Sequence, residues 1–288
     1  MESIQELLGG IGNGSAMKKY YERALKKQEE EHLTPMQREA RLLNSIRDSY
    51  DPEEYDCKKC KNRGYIATVE LVNDAERLRN YECSCMPIRR SIWRLKQSGL
   101  DQTIRSKTFD KFKAENEWQR EMKDTAQCYC YDGLENGSWF YCGGQPGSGK
   151  THICTAIARE VLYKKPLQYL LWSDFIRRTQ DKEADRQTIG EEVERYKNIE
   201  VLYIDDFFKP VKDYKGNTML PGMAEVRLAF EIINYRYIKN RPVIISSEWS
   251  IKELNDIDEA IASRIYEKCG LYTISIKKGR EKNMRYQA

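Results

Sequence analysis

Three stretches of this chain carry residue types whose spacing implies chemistry. The first is Gly144-Gln145-Pro146-Gly147-Ser148-Gly149-Lys150-Thr151, which fits G-x-x-x-x-G-K-[ST] at every fixed position. Glycines let backbone N–H groups turn inward around a polyphosphate, and a helix starting behind them offers its positive end to the same anion. At this spacing Lys150 reaches the β- and γ-phosphates, and the Thr151 hydroxyl becomes a Mg²⁺ ligand. The expected ligand is ATP as its Mg²⁺ complex. A chance glycine turn would lack the strand and helix signals that flank this loop in WFYCGGQPGSGKTHICTAIARE.

The second stretch is Val201-Leu-Tyr-Ile-Asp205-Asp206, an apolar run ending on two acids. It reads as a Walker B strand. Asp205 would hold the Mg²⁺ shell, and Asp206 would orient or activate the attacking water. Ordinary acidic caps at a strand end are the alternative, and the upstream phosphate loop weighs against them. A later run, Arg241-Pro-Val-Ile-Ile-Ser-Ser247-Glu248, also ends in polar residues. Either Ser247 or Glu248 could sense the γ-phosphate, and loop capping is an equal reading for each. Arg264, in Asp258-Glu-Ala-Ile-Ala-Ser-Arg264-Ile265, has the fixed planar charge that suits phosphoryl oxygens in a transition state. Composition alone favours a surface salt bridge for it.

The third stretch is a set of cysteines. Cys57-Lys-Lys-Cys60 is followed after 22 residues by Cys83-Ser-Cys85. Four thiolates from two knuckles make a closed tetrahedral site of the structural zinc type. Gly64 fits a knuckle turn, and Tyr65–Leu71 with Arg79–Tyr81 could form a hairpin between the pairs. A redox pair or reduced core cysteines are the alternatives. The chain has nine cysteines; Cys128, Cys130, Cys142, Cys154 and Cys269 lack such spacing and read as packed small hydrophobes.

The elements that must position these residues follow from the apolar pattern. Short apolar runs at Trp139–Cys142, Gln168–Trp172, Val201–Ile204, Pro242–Ser246 and Tyr272–Ile276 alternate with longer amphipathic segments. That is the pattern of a parallel sheet with helical crossovers. The fold class is therefore α/β: a P-loop domain with a parallel sheet, preceded by a small helical and zinc-binding N-terminal region. The boundaries read as 1–50 (helical), 51–95 (cysteine-rich) and 96–288 (nucleotide domain). Helices are expected over Met17–Glu31 and Met36–Ile46, the latter started by Pro35. The stretch 88–137 reads as mostly helical.

Composition bounds the function. The chain has 288 residues, 40% of them hydrophobic and 33% charged, with a net charge of +4. That supports a sizeable core and does not by itself announce nucleic-acid binding. The basic run from Arg89 to Lys113 is a solvated face or a nucleic-acid contact. No apolar run approaches the roughly 20 residues of a membrane span. The N-terminus lacks the basic start and apolar stretch of a signal peptide. The expectation is a cytoplasmic protein with no membrane partner.

The order TFDKF (108–112), GQPGSGKT, VLYIDD, NYRYIKNRPVIISSE (234–248) and EAIASRIYE (259–267) resembles the AAA+ helicase loaders of the DnaC/DnaI type, in their phage and mobile-element forms. The resemblance covers about residues 100–288, and more weakly extends to about residue 55. It implies an AAA+ ATPase that loads the replicative DNA helicase. The N-terminal region would grip the helicase, and the ATPase domain would contact single-stranded DNA and assemble with copies of itself. It matches Lys150 and Thr151 to Walker A, and Asp205 and Asp206 to Walker B. Arg264 matches an arginine finger acting across a subunit interface, and Phe109 an aromatic close to the adenine. Ser247 and Glu248 fall where the family often has asparagine. The 24 residues after Arg264 leave no room for a helical lid; their basic end, KKGREKNMRYQA, reads as disorder or as a contact to nucleotide or DNA. Two other functions fit the same motifs: a transposition helper ATPase of the IstB type, which usually lacks a zinc module, and a zinc-containing adaptor using ATP as a structural switch.

Overall fold

The computed structural model describes residues 32–46, 57–97, 104, 106–181, 183 and 185–286. The helix expected over Met17–Glu31 lies outside them. The chain divides into two compact units, 1–86 and 87–288, which are described separately.

In the first unit, helix α1 (Pro35–Ser45) begins on a capping box: the Thr34 hydroxyl accepts from the Gln37 amide, and the Gln37 side chain accepts from the Thr34 amide. Strands β1 (Tyr65–Val72) and β2 (Ala75–Glu82) form an antiparallel hairpin. Asn73 and Asp74 turn it with φ of 51° and 58°, the left-handed conformation these two residue types tolerate best. Asn44 fastens α1 to the hairpin like a short strand. Its side chain donates to the Ala67 carbonyl at 2.8 Å and accepts from the Ala67 amide at 2.9 Å.

The second unit is a five-stranded parallel sheet flanked by helices. In chain order it comprises α2 (Met86–Gln97), α3 (Glu117–Cys128), β3 (Phe140–Gly144), α4 (Lys150–Leu162), β4 (Leu167–Leu171), α5 (Trp172–Gln180), α6 (Arg186–Asn198), β5 (Val201–Phe207), β6 (Val211–Lys212), β7 (Thr218–Met219), α7 (Met223–Ile238), β8 (Val243–Ser247), α8 (Ile251–Ile257), α9 (Glu259–Cys269) and β9 (Thr273–Ile276). The sheet order is β4-β5-β8-β3-β9, and β6 and β7 pair as a small separate hairpin. Strands β3 and β8 are buried at every residue, which is why they read as continuous apolar runs instead of alternating ones. Each of the five expected strands forms, within a residue or two at most boundaries; β5 runs on through both acids to Phe207. The stretch 107–116, inside the region expected to be mostly helical, is an irregular turn.

Two devices hold the sheet's site-bearing strands. Arg236 is fully buried and donates to the carbonyls of Tyr196, Lys197, Ile199, Glu200 and Pro242, at 2.6 to 3.3 Å. It ties the end of α6 and the entries to β5 and β8 together. Burial draws its guanidinium down to about 9, yet its charge answers a ring of five carbonyls. At the other end of β5, Phe207 stacks on Phe208 at 4.2 Å, and Trp172 meets both edge-on at 5.0 and 5.8 Å. Each such pair contributes about 1 kcal/mol beyond its buried area.

The basic C-terminal end, for which disorder was one reading, is ordered through Tyr286. It folds back onto the glycine loop: the Gln145 amide donates to the Ile276 carbonyl, the Gly279 amide to the Gln145 side chain, and the Met284 amide to the Gly147 carbonyl.

Candidate functional site

The glycine loop leaves β3 and turns into α4 with Gly144, Gly147 and Gly149 at φ of 106°, 76° and 89°. Space also demands glycine here. A Cβ on Gly144 would lie 2.1 Å from the Ile276 carbonyl oxygen, and one on Gly147 2.0 Å from Asn283 Oδ1. Gly149 caps α4. Ser148 Oγ closes the loop by donating to the Gln145 carbonyl. Lys150 Nζ donates to the carbonyls of Gly144 and Gln145 at 3.0 and 2.8 Å, and burial draws its ammonium below the usual lysine range.

Across from the loop, β5 delivers the two acids. Its register with β8 shifts between Ile204 and Phe207. Asp206 and Phe208 take left-handed conformations, φ 54° and 50°. Strain of this kind is tolerated where the surroundings over-determine it, here by the Trp172–Phe207–Phe208 cluster. The two carboxylates of this irregular stretch have different partners. Asp205 is buried and accepts from Thr151 Oγ1 at 3.2 Å, from Tyr169 Oη at 3.3 Å and from Ser246 Oγ. Burial raises its carboxyl above the ordinary range, against the pull of the Ser246 hydrogen bond. Asp206 is less buried, and its Oδ2 lies 2.6 Å from Lys209 Nζ.

Between the loop and Asp206 lies an open cavity of about 420 Å³, walled by Lys107, Phe112, Gly147, Gly149, Lys150, Thr151, His152, Asp206, Lys209, Glu248, Met284 and Arg285. Its size suits a nucleotide. Thr151 and Asp205 present hard oxygen ligands within 3.2 Å of each other, the donor set that suits Mg²⁺. The other expected residues divide. Glu248 is on the cavity wall. Ser247 is fully buried; its hydroxyl donates to the Phe207 carbonyl and accepts from the Trp249 amide. Phe109 is buried, and Phe112, three residues on, is the aromatic that lines the cavity. Arg264 lies on α9 with its guanidinium over the rings of Phe230 and Tyr237, at 5.2 and 5.5 Å. Its Nε donates to Asn234 Oδ1 and its Nη1 to the Ala260 carbonyl. Among the described residues the partners seen for it are these and no carboxylate, and it does not line the cavity.

No sequence motif marks Ser246 or Tyr169. Strand β8 is buried on both faces, so no alternation signals which of its two serines faces the acids. Tyr169 acts through β4, whose pairing with β5 places it opposite Tyr203, two residues before Asp205.

The model of the bacterial DnaA ATPase domain matches residues 106–273. This chain belongs to that family. The matched span includes the strand-loop-helix, both acids and Arg264. Relatives include the phage-like element PBSX protein XkdC of Bacillus subtilis (strain 168), which is 31% identical over 234 residues, 79% of this chain and 84% of that protein. Similar solved structures include DnaI (18% identity, 61% of this chain and 93% of that one, TM-score 0.49) and the DnaC helicase loader (19%, 62% and 99%, TM-score 0.48). The AAA+ fold expected from the motifs is the fold observed.

In the other unit, the four cysteines of the two pairs are buried, and their sulfurs all lie within 4.8 Å of one another. Cys57 Sγ and Cys83 Sγ are 3.8 Å apart, and Cys60 Sγ and Cys85 Sγ 3.6 Å. Sulfurs about 2.3 Å from a tetrahedral zinc stand about 3.8 Å apart, so the cluster fits that ion. The knuckle is built as the chemistry requires. Lys61, Asn62 and Gly64 have positive φ, Asn62 Oδ1 accepts from the Cys57 amide, and the Gly64 amide donates to Cys60 Sγ. Burial raises the Cys57 thiol, but hydrogen bonds from the Cys60 and Lys59 backbone outweigh it and bring it down to about 7; burial beside the other sulfurs pushes Cys85 up. No helix among the described residues is long and apolar enough to cross a membrane.

Proposed function

We propose that this protein is an ATP-dependent loader of a replicative DNA helicase, working in the cytoplasm. The observation that carries the reading is that Lys150, Thr151 and Asp206 line one nucleotide-sized space, with Asp205 hydrogen-bonded to Thr151, in a DnaA-type ATPase domain. The phosphate-loop backbone, from Gly144 to Thr151, wraps the triphosphate. Lys150 exchanges its two carbonyl partners for phosphate oxygens. Thr151 and Asp205 would hold Mg²⁺, which would offset phosphate charge. Asp206 accepts the proton of the attacking water, and Glu248, on the cavity wall, takes the sensor role in preference to Ser247. Arg264 serves the site of a neighbouring copy, so that turnover requires assembly.

The motif order shared with helicase loaders, and kinship with a phage-element protein, support the replication role. In this reading residues 1–50 grip the helicase, residues 51–95 hold zinc, and residues 96–288 bind ATP and single-stranded DNA. The zinc-fitting cysteine cluster favours a loader over a transposition helper. The test combines nucleotide binding, turnover and capture of the host's replicative helicase by the full chain. The intact protein should bind Mg·ATP, hydrolyse it faster with single-stranded DNA, and retain the helicase. Lys150→Ala should lose tight ATP binding, and Asp206→Asn should bind ATP and turn over slowly. ATP binding without DNA-stimulated turnover and without helicase capture would instead identify an adaptor.

A further inference from the structure

Three cations on the cavity wall belong to no motif: Lys209, which pairs with Asp206, Lys107, in the irregular segment before α3, and Arg285, in a short 3₁₀ turn (Met284–Tyr286) after β9. Lys107 and Arg285 come from the two ends of the ATPase unit, and specific contacts bring each to the phosphate loop.

On the C-terminal side the contacts recur from Ile276 to Met284. The loop's Gln145 amide donates to the Ile276 carbonyl at 3.1 Å, the Gly279 amide donates to Gln145 Oε1 at 2.9 Å, and the Met284 amide donates to the Gly147 carbonyl at 3.0 Å. Contact is close enough that a Cβ on Gly149 would lie 3.2 Å from Met284 Sδ. Lys278 pairs with Glu253 Oε1 at 2.5 Å and anchors the start of the segment on α8. On the Lys107 side, His152 of α4 is hydrogen-bonded to the Thr108 carbonyl at 2.9 Å, and the Phe112 ring packs edge-on against the His152 ring at 5.3 Å. Neither cation is therefore on a free-swinging chain end.

Charge gives this arrangement a purpose. The wall carries Lys107, Lys150, Lys209 and Arg285 against Asp206 and Glu248. Lys107 is drawn below the usual lysine range first by burial; Asp205 opposes that shift, and Arg285 adds to it. Lys107 and Arg285 give an otherwise charge-balanced wall an excess of positive charge, which a polyanion between them would offset.

We propose that Lys107 and Arg285 are phosphate ligands of the bound nucleotide, so that the C-terminal segment 277–286 forms one wall of the site. The inference rests on the ATP site argued above. It makes the site selective for the more highly charged triphosphate, because both contacts are ionic.

The test uses the full chain and fluorescent ATP and ADP analogues with Mg²⁺. Lys107→Gln and Arg285→Gln should each weaken ATP binding by about tenfold, the loss of one charge-assisted contact, and narrow the preference for ATP over ADP. Arg285→Lys should keep most of the affinity. Gln variants that bind both nucleotides like the wild type, while Lys150→Ala binds neither, would overturn this inference and leave the phosphate loop intact. A wild-type chain that binds neither nucleotide would instead remove the ATP site itself. A readout that needs no substitution is hydrogen exchange over residues 279–286, which should slow with Mg·ATP more than with Mg·ADP. Exchange there indifferent to nucleotide would also overturn the inference.

Discussion

The Ser246 hydroxyl donates a hydrogen bond to the carboxylate of Asp205, 41 residues away in sequence and on the neighbouring strand. The same oxygen accepts from the Asp206 amide at 3.1 Å, so one hydroxyl positions both acids. Ser247 faces the opposite way, onto the Phe207 carbonyl.

That geometry separates the two serines by experiment. Ser246→Ala should lower both Mg·ATP affinity and turnover, because it removes the donor that steadies a buried carboxylate, a loss of about 1–3 kcal/mol. Ser247→Ala should lower thermal stability while leaving turnover per folded molecule close to wild type. Nucleotide titration, steady-state hydrolysis and a thermal melt of each variant give the answer. The reverse pattern would show that the two hydroxyls have exchanged roles.

Metal removal should affect one unit only. The hairpin unit is too small to bury a large core, so a zinc held by the four thiolates would supply folding free energy to it. The purified chain should contain about one zinc per molecule by elemental analysis. Chelation, or Cys60→Ser, should abolish protection from hydrogen exchange over residues 57–86 and leave the sheet of residues 140–276 protected. A metal-free protein with an ordered hairpin would refute the assignment.

Arg264 is poised by aromatic rings and amide groups of its own chain, away from its own cavity. If it completes the site of a neighbouring copy, specific activity should rise with protein concentration. Arg264→Ala should bind ATP normally and hydrolyse it on the order of 10³-fold more slowly. Mixing Arg264→Ala with Lys150→Ala chains should restore part of the activity, since one binds ATP and the other offers the arginine. A co-assembled mixture with no recovery at any ratio would leave Arg264 as the residue that joins α9 to α7.

The residues that were legible before folding are those whose constraint is local. A glycine loop must turn within eight residues, so Gly144–Thr151 announces its strand, turn and helix. The buried strands announce themselves because a parallel sheet covers both faces with apolar side chains. Cys57 and Cys60, and Cys83 and Cys85, each sit on one turn of chain. What tertiary structure decided is every relationship spanning the sheet or joining the chain's ends. It set the strand order β4-β5-β8-β3-β9, and with it the approach of Ser246 and Tyr169 to Asp205. It enclosed Arg236 among five carbonyls from three segments. It chose Phe112 over Phe109 for the cavity, and it laid the C-terminal segment with Arg285 on the phosphate loop. The physical reason is common to all of these. A hydrogen bond or ion contact between distant residues leaves no periodicity in the chain, and its geometry exists only after the sheet has packed.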